Sequence, residues 1–167
     1  MKIGLISDTH GFIDPSVFRY FSEVDEIWHA GDIGNYSSIK QLLEFKPLIG
    51  VFGNIDGTEI RNSFNEDEIF EKEGLKVFLT HIAGPFEKYT PRIKNILEKH
   101  APGVLICGHS HICKVAFDKK HNLLYINPGA AGNHGFHLVK TIIRFNIVNG
   151  KISNLEVIEL GKRALSK

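Results

Sequence analysis

Five short apolar runs in this chain each stop abruptly at an acid, an amide or a histidine. Ile3-Gly4-Leu5-Ile6-Ser7 leads into Asp8-Thr9-His10, and Glu26-Ile27-Trp28-His29-Ala30-Gly31 leads into Asp32. Leu48 to Gly53 leads into Asn54, Lys76 to Thr80 into His81, and Val104 to Gly108 into His109-Ser110-His111. Such short, continuous runs read as strands buried on both faces, the pattern of a parallel sheet covered by helices. Parallel neighbours need crossover connections, so the chain is steered towards an α/β layering.

The segments between the runs agree. Asp14-Pro15 is a helix start with proline in the first turn, followed by Phe18, Phe21 and Ser22. Tyr36 to Phe45 carries apolar residues at 36, 39, 42 and 43, which is helical spacing, and Pro47 stops it. With strands at Ile27-Trp28 and Leu48 to Phe52, the first half reads βαβαβ. The second half is richer in strands. Glu68 to Lys72 and Lys76 to Leu79 flank the turn Glu73-Gly74, and Thr90 to Lys99 is a helix with Ile93, Ile96 and Leu97 on one face. Strands at Val104 to Cys107, Val115 to Phe117 and Leu123 to Ile126 follow. Thr141 to Val148 then pairs with Ile152 to Ile158 across Asn149-Gly150, a short-hairpin signature. The expected fold is α/β, two stacked mixed β-sheets flanked by helices in a four-layer αββα sandwich, with residues 1–167 as one domain.

Charge and cysteine content narrow the function. The 20 basic and 19 acidic side chains leave a net charge of +1, which marks out no nucleic-acid or membrane surface. Lys119-Lys120 reads as a solvated turn. Cys107 and Cys113 are too few for a disulfide scaffold and fit a reducing cytosol. The apolar run at the start is too short for a signal-peptide core, and no stretch approaches the roughly 18 apolar residues of a spanning helix. The expectation is a soluble, cytoplasmic protein.

Ligands of open α/β sheets sit beyond the carboxyl ends of the strands. Five tips side by side would bring Asp8, His10, Asp32, Asn54, His81, His109 and His111 to one crevice. Gly31, Gly53 and Gly108 immediately precede three of these tips, where a residue without a side chain allows a sharp turn and close approach. One ion does not use seven ligands; two ions sharing a bridging carboxylate do. Mixed nitrogen and oxygen donors suit two divalent ions such as Mn, Zn, Fe or Ni better than calcium. His29 lies inside an apolar run and reads as a buried supporting histidine, and His100 and His121 read as surface residues. Cys107-x-His109-x-His111-x-Cys113 could be a structural zinc site, but Cys107 continues a buried strand and the cysteine spacing is unlike such sites.

The set Asp8-x-His10, Gly31-Asp32, Gly53-Asn54-x-Asp56, His81 and Gly108-His109-x-His111 resembles the calcineurin-like metallophosphoesterase superfamily, in the family's order. Asn127-Pro128-Gly129 resembles its small single-domain bacterial and archaeal phosphodiesterases. The resemblance implies that Asp8, His10 and His111 hold a first metal, that Asn54, His81 and His109 hold a second, and that Asp32 bridges them. It implies catalysis through Asp32, Asn54, Asp56 and His81, with Asp56 orienting a ligand without touching metal. A bridging hydroxide between ions roughly 3.5–4 Å apart would attack phosphorus in line. The expected partner is a small-molecule phosphate ester, most simply a phosphodiester, acted on by a homodimer or higher homo-oligomer.

One position departs from the family. Many members carry histidine between the asparagine and the acid, where it is thought to protonate the leaving group; here it is Ile55. His134 and His137, in a glycine-rich segment, are the candidates to face substrate and replace that donor. The superfamily also includes a retromer coat subunit regarded mainly as a scaffold, so the alternative is a catalytically weak or inactive metal-binding scaffold protein of the same fold.

Overall fold

The computed structural model describes residues 1–163. Its strands are β1 (Lys2–Ile6), β2 (Glu26–His29), β3 (Leu48–Gly50), β4 (Asp67–Lys72), β5 (Leu75–Thr80), β6 (Val104–Ile106), β7 (Cys113–Asp118), β8 (Leu123–Pro128), β9 (Val139–Val148) and β10 (Lys151–Lys162). Its helices are α1 (Ser16–Tyr20), α2 (Tyr36–Phe45), α3 (Thr58–Ser63) and α4 (Pro91–His100). Two five-stranded mixed sheets form, with orders β10-β9-β1-β2-β3 and β4-β5-β6-β8-β7. The inner strands β1, β2 and β3 of the first sheet are parallel, as are β5, β6 and β8 of the second.

Alternation along each strand builds the layers. Ile3, Leu5, Trp28, Ile143 and Phe145 meet Val77, Leu79, Val104, Ile106 and Ile126 between the sheets. Ile6, Ile27 and Ile142 point the other way, onto Val17, Phe21, Ile39, Leu42 and Ile60. Phe78 and Leu105 face α4 through Ile93 and Leu97. This is the expected four-layer arrangement. Gly4 is a point of close contact in it, since a Cβ there would lie 2.9 Å from the Phe21 ring.

Local chemistry sets the ends of the helices. The Asn35 side chain accepts from Ser38 N at 2.9 Å to start α2, and Thr90 Oγ1 accepts from Ile93 N at 3.3 Å to start α4, with Pro91 behind it. The two hairpin turns, Glu73-Gly74 and Asn149-Gly150, touch each other through Gly150 N donating to Glu73 O at 2.7 Å. That contact ties the sheets together at the end opposite the ligand-bearing tips.

The structure departs from the sequence expectation in places. Helix α3 was not expected; residues 58–63 are too short to show a period, and only Ile60 is buried. β7 starts at Cys113, two residues earlier than expected. β10 runs to Lys162, because irregularities at Ser153/Glu156 and Glu159/Gly161 let it continue along β9. His121 lies in a turn as expected but is only partly exposed: its side chain is 11% exposed and its Nδ1 bonds Asp118 Oδ2 at 2.7 Å.

Candidate metal centre

Six strands aim their carboxyl ends at one face of the molecule: β1, β2, β3, β5, β6 and β8. The loops that follow β1 and β2 are joined side by side, with Asp8 N donating to Gly31 O, His10 N to Asp32 O and Gly11 N to Ile33 O, at 2.7–3.0 Å. Asp8, His10, Asp32, His109 and His111 all adopt left-handed backbone, with φ between 47° and 67°. Non-glycine residues take this conformation rarely, and such strain collects at functional sites. Here it lifts each side chain off the strand direction into the crevice.

All seven expected donors meet there. Asp8 Oδ1 lies 3.1 Å from His111 Nε2, and His10 Nε2 lies 3.4 Å from His111 Nε2. Asn54 Oδ1 lies 3.1 Å from His81 Nε2 and 2.9 Å from His109 Nδ1. Between these two groups stands Asp32. Its Oδ2 is 3.9 Å from His10 Nε2, and its Oδ1 is 3.2 Å from His81 Nε2. One atom each from Asp8, His10 and His111 comes within 4.8 Å of the others, and the same holds for Asp8, Asp32 and His81.

This donor set fits a metal. Asp8 is buried, and among the described residues its Oδ1 has no hydrogen-bond partner, with the His111 ring nitrogen close by at 3.1 Å. A buried acceptor left unsatisfied is costly unless a cation completes it. Tetrahedral coordination with bonds of about 2.1 Å separates neighbouring ligand atoms by about 3.4 Å, in line with the His10–His111 spacing. The electrostatics agree. Burial works against charge on His81, but the Asp32 carboxylate, with Asp8 behind it, outweighs burial and raises the pKa. Burial would raise the Asp32 pKa, yet His81 and the Ile55 N–H, which donates at 3.1 Å, hold it below its usual value. His10 is pushed down by burial, against the pull of Asp32 and Asp8. The pocket therefore draws positive charge, while leaving His10 nitrogen available as a donor.

His81 is also held in one orientation. Its Nδ1 donates to Ala30 O at 2.7 Å, which turns Nε2 towards Asp32 and Asn54. Gly53 and Gly108 permit the packing. A Cβ at Gly53 would fall 2.1 Å from Asp32 Oδ1, and one at Gly108 would fall 2.1 Å from Ser7 Oγ and 2.7 Å from Asp8 Oδ2.

Asp56 lies beneath the crevice rather than in it. It is 3% exposed, and its carboxylate accepts from Gly53 N at 2.7 Å, Gly34 N at 2.7 Å and Ile33 N at 3.1 Å. It thus clamps the loop bearing Asp32 to the loop bearing Asn54. His29 is fully buried, as expected. Its Nδ1 accepts from Gly31 N at 3.2 Å, so Nε2 carries the proton and donates to Thr9 Oγ1 at 3.0 Å. Burial lowers its pKa to about 4.

His134 and His137 divide. His134 is exposed, with its ring 5.9 Å from that of His10. His137 packs its ring 5.2 Å from that of His111 and bonds Gly132 O through Nε2 at 3.0 Å. Sequence reasoning attached no role to three supports. Ser7 Oγ donates to Asp8 Oδ2 at 2.6 Å, Asn127 Nδ2 donates to Gly108 O at 2.7 Å, and Arg61 donates to the carbonyls of Asp56 and Gly53. Asn127 had a legible signal, since it too follows an apolar strand run.

A sequence profile for the calcineurin-like phosphoesterase superfamily domain matches residues 1–150. The chain is 30% identical over 136 residues, 78% of its length and 68% of the relative's, to a probable metallophosphoesterase of Methanocaldococcus jannaschii. Its fold is similar to that of a novel archaeal phosphodiesterase, with a TM-score of 0.75 at 23% identity, covering 96% of this chain and 100% of that one. It is also similar to Vps29 of Chaetomium thermophilum, with a TM-score of 0.74 at 16% identity, covering 97% and 99% of the two chains.

Proposed function

The chain belongs to the calcineurin-like phosphoesterase superfamily, and on that premise we propose that it is a phosphodiesterase working with two divalent metal ions, Mn, Zn, Fe or Ni. The observation that carries this reading is Asp32, whose two carboxylate oxygens face separate donor groups, Oδ2 towards His10 and Oδ1 towards His81. Asp8, His10 and His111 would hold one ion and Asn54, His81 and His109 the other. Bound there, the ions would lower the pKa of a water and neutralise charge on the phosphoryl oxygens during in-line displacement.

The protein's own groups do the rest. Asp32 sets the separation of the two donor groups. The Ala30 carbonyl fixes the ring of His81, and Asp56 fixes the loops carrying Asp32 and Asn54. His134, exposed beside His10, would protonate a leaving oxygen in place of the histidine that Ile55 replaces. His137 would support His111 from behind. Cys107 and Cys113 are free thiols, which supports a reducing, cytoplasmic setting. Among the described residues no helix is long and apolar enough to cross a membrane.

The test is to strip the protein of metal and restore Mn, Ni, Zn or Mg in turn. Metal content is counted, and hydrolysis of bis-p-nitrophenyl phosphate is compared with that of p-nitrophenyl phosphate. Two ions per chain, with diester hydrolysis that collapses in Asp32→Asn, is the expected result. Hydrolysis of the monoester alone would replace the phosphodiesterase reading with a phosphomonoesterase. Two bound ions with no hydrolysis would favour the second reading, a metal-binding scaffold, which the likeness to Vps29 and the isoleucine at position 55 support.

A further inference from the structure

Beside the donor cluster lies a cavity of 540 Å³. It opens between the segment after β5 and the segment after β6, and His109 belongs both to its wall and to the cluster. Its volume falls in the roughly 300–1,000 Å³ range of small-molecule sites. The lining is mainly apolar: Ile82, Pro85 and Phe86 on one side, Ile112 on the other, Tyr125 at the base. Ile112 is 66% exposed at the rim, an apolar side chain left in water beside a polar cluster. The other flank of the cluster is different. There a cavity of 180 Å³ is lined by Arg61 and Arg92, whose guanidinium groups are already engaged, Arg61 by backbone carbonyls and Arg92 by Asp67 and Glu66.

Resting on the phosphoesterase reading above, we infer that the larger cavity is a substrate subsite that receives a flat aromatic ring carried on one ester oxygen of the phosphodiester. The shared His109 supplies the geometry: a phosphoryl group at the donor cluster has one substituent pointing into this cavity. The walls supply the preference. The Phe86 ring already meets Tyr125 edge-on at 5.3 Å and carries the Lys114 ammonium at 4.3 Å from its centroid. An incoming ring gains the same edge and cation contacts in addition to burial against Ile82 and Ile112, whereas an alkyl chain gains burial alone. Lys114 is exposed on β7, so its ammonium can swing from Phe86 to cap such a ring.

The experiment holds the leaving group constant. Phenyl, ethyl and decyl p-nitrophenyl phosphates share nitrophenolate as leaving group and differ only in the group that remains. The kcat/KM ratio of phenyl to ethyl should be roughly tenfold to a hundredfold, the discrimination that burying one ring-sized apolar group provides. In Phe86→Ala and Ile112→Ser that ratio should fall towards one. Being a ratio within one preparation, it is insensitive to partial folding or partial metal loading. A ratio near one in the unmodified protein, or a ratio unchanged in both variants, overturns the inference, and decyl matching phenyl overturns its aromatic specificity. A second readout needs neither metal nor turnover. In the metal-free protein the uncompensated carboxylates of Asp8 and Asp32 repel anions, so the probe is neutral: phenol should shift the methyl resonances of Ile82 and Ile112, and ethanol should not. If no metal restores hydrolysis, that spectrum decides: selective shifts keep the subsite while the enzyme reading fails, and their absence ends the subsite too.

Discussion

Replacing Asp56 by alanine should cost the protein far more stability than activity arguments alone would suggest. The side chain is 3% exposed and its carboxylate accepts from three backbone N–H groups, at 2.7, 2.7 and 3.1 Å. Alanine leaves all three donors buried without a partner. Each unsatisfied buried group costs about 1–3 kcal/mol, so with some relief from entering water the loss is about 4 kcal/mol. That is a large part of the roughly 5–15 kcal/mol by which a domain is stable. At roughly 2–4 °C per kcal/mol for a chain of this size, the melting temperature should fall by about 8–16 °C. Asp56→Asn keeps one acceptor oxygen and should lose about half as much stability. The assay is urea unfolding of the metal-free protein, followed by fluorescence of Trp28, the single tryptophan, which is fully buried. Metal-free conditions keep ligand binding out of the comparison. If Asp56→Ala stays within about 1 kcal/mol of the parent while its turnover disappears, the carboxylate acts on the reacting groups and its role as a clamp on the loops is refuted.

Three further outcomes are expected. Gly108→Ala would force a Cβ to 2.1 Å from Ser7 Oγ and 2.7 Å from Asp8 Oδ2; calorimetric titration should show metal affinity reduced at least tenfold, and parental affinity would contradict the close packing. His29 has its pKa lowered from 6.5 to about 4 by burial, so between those values the unfolded chain binds the proton and the folded one does not. Stability therefore falls as pH drops through that window, by about 2.5 kcal/mol between pH 7.5 and pH 4.5 from this residue; urea midpoints at the two pH values should show a shallower decline in His29→Gln, and an identical decline would discount the residue. Burial pushes the Cys107 thiol up to about 12, so at pH 8 an aromatic disulfide reagent should modify Cys113 first and reach Cys107 only on unfolding; mass mapping that finds Cys107 modified as fast as Cys113 would contradict this.

The layer order and the strand tips were legible because they depend on local rules. Apolar continuity, proline and asparagine-glycine placement and helical spacing belong to neighbouring residues, so the first βαβαβ half and the hairpin at Asn149-Gly150 could be read directly. The same rules placed seven side chains of donor type at one crevice, since each follows a strand that must end where the crevice lies. The partner of each side chain was not legible. Asp56 was expected to support a ligand without touching metal, yet nothing local to it named its partners, the N–H groups of Ile33, Gly34 and Gly53. His134 and His137 are three positions apart, yet one is exposed and the other is packed against His111. Those outcomes depend on contacts made across the fold, such as His109 N donating to Asp8 Oδ2 at 3.2 Å over a separation of 101 positions. Local sequence sets which elements form and where they stop. The stacking of two sheets sets which of their polar ends meet, because only then are burial and hydrogen-bond partners assigned.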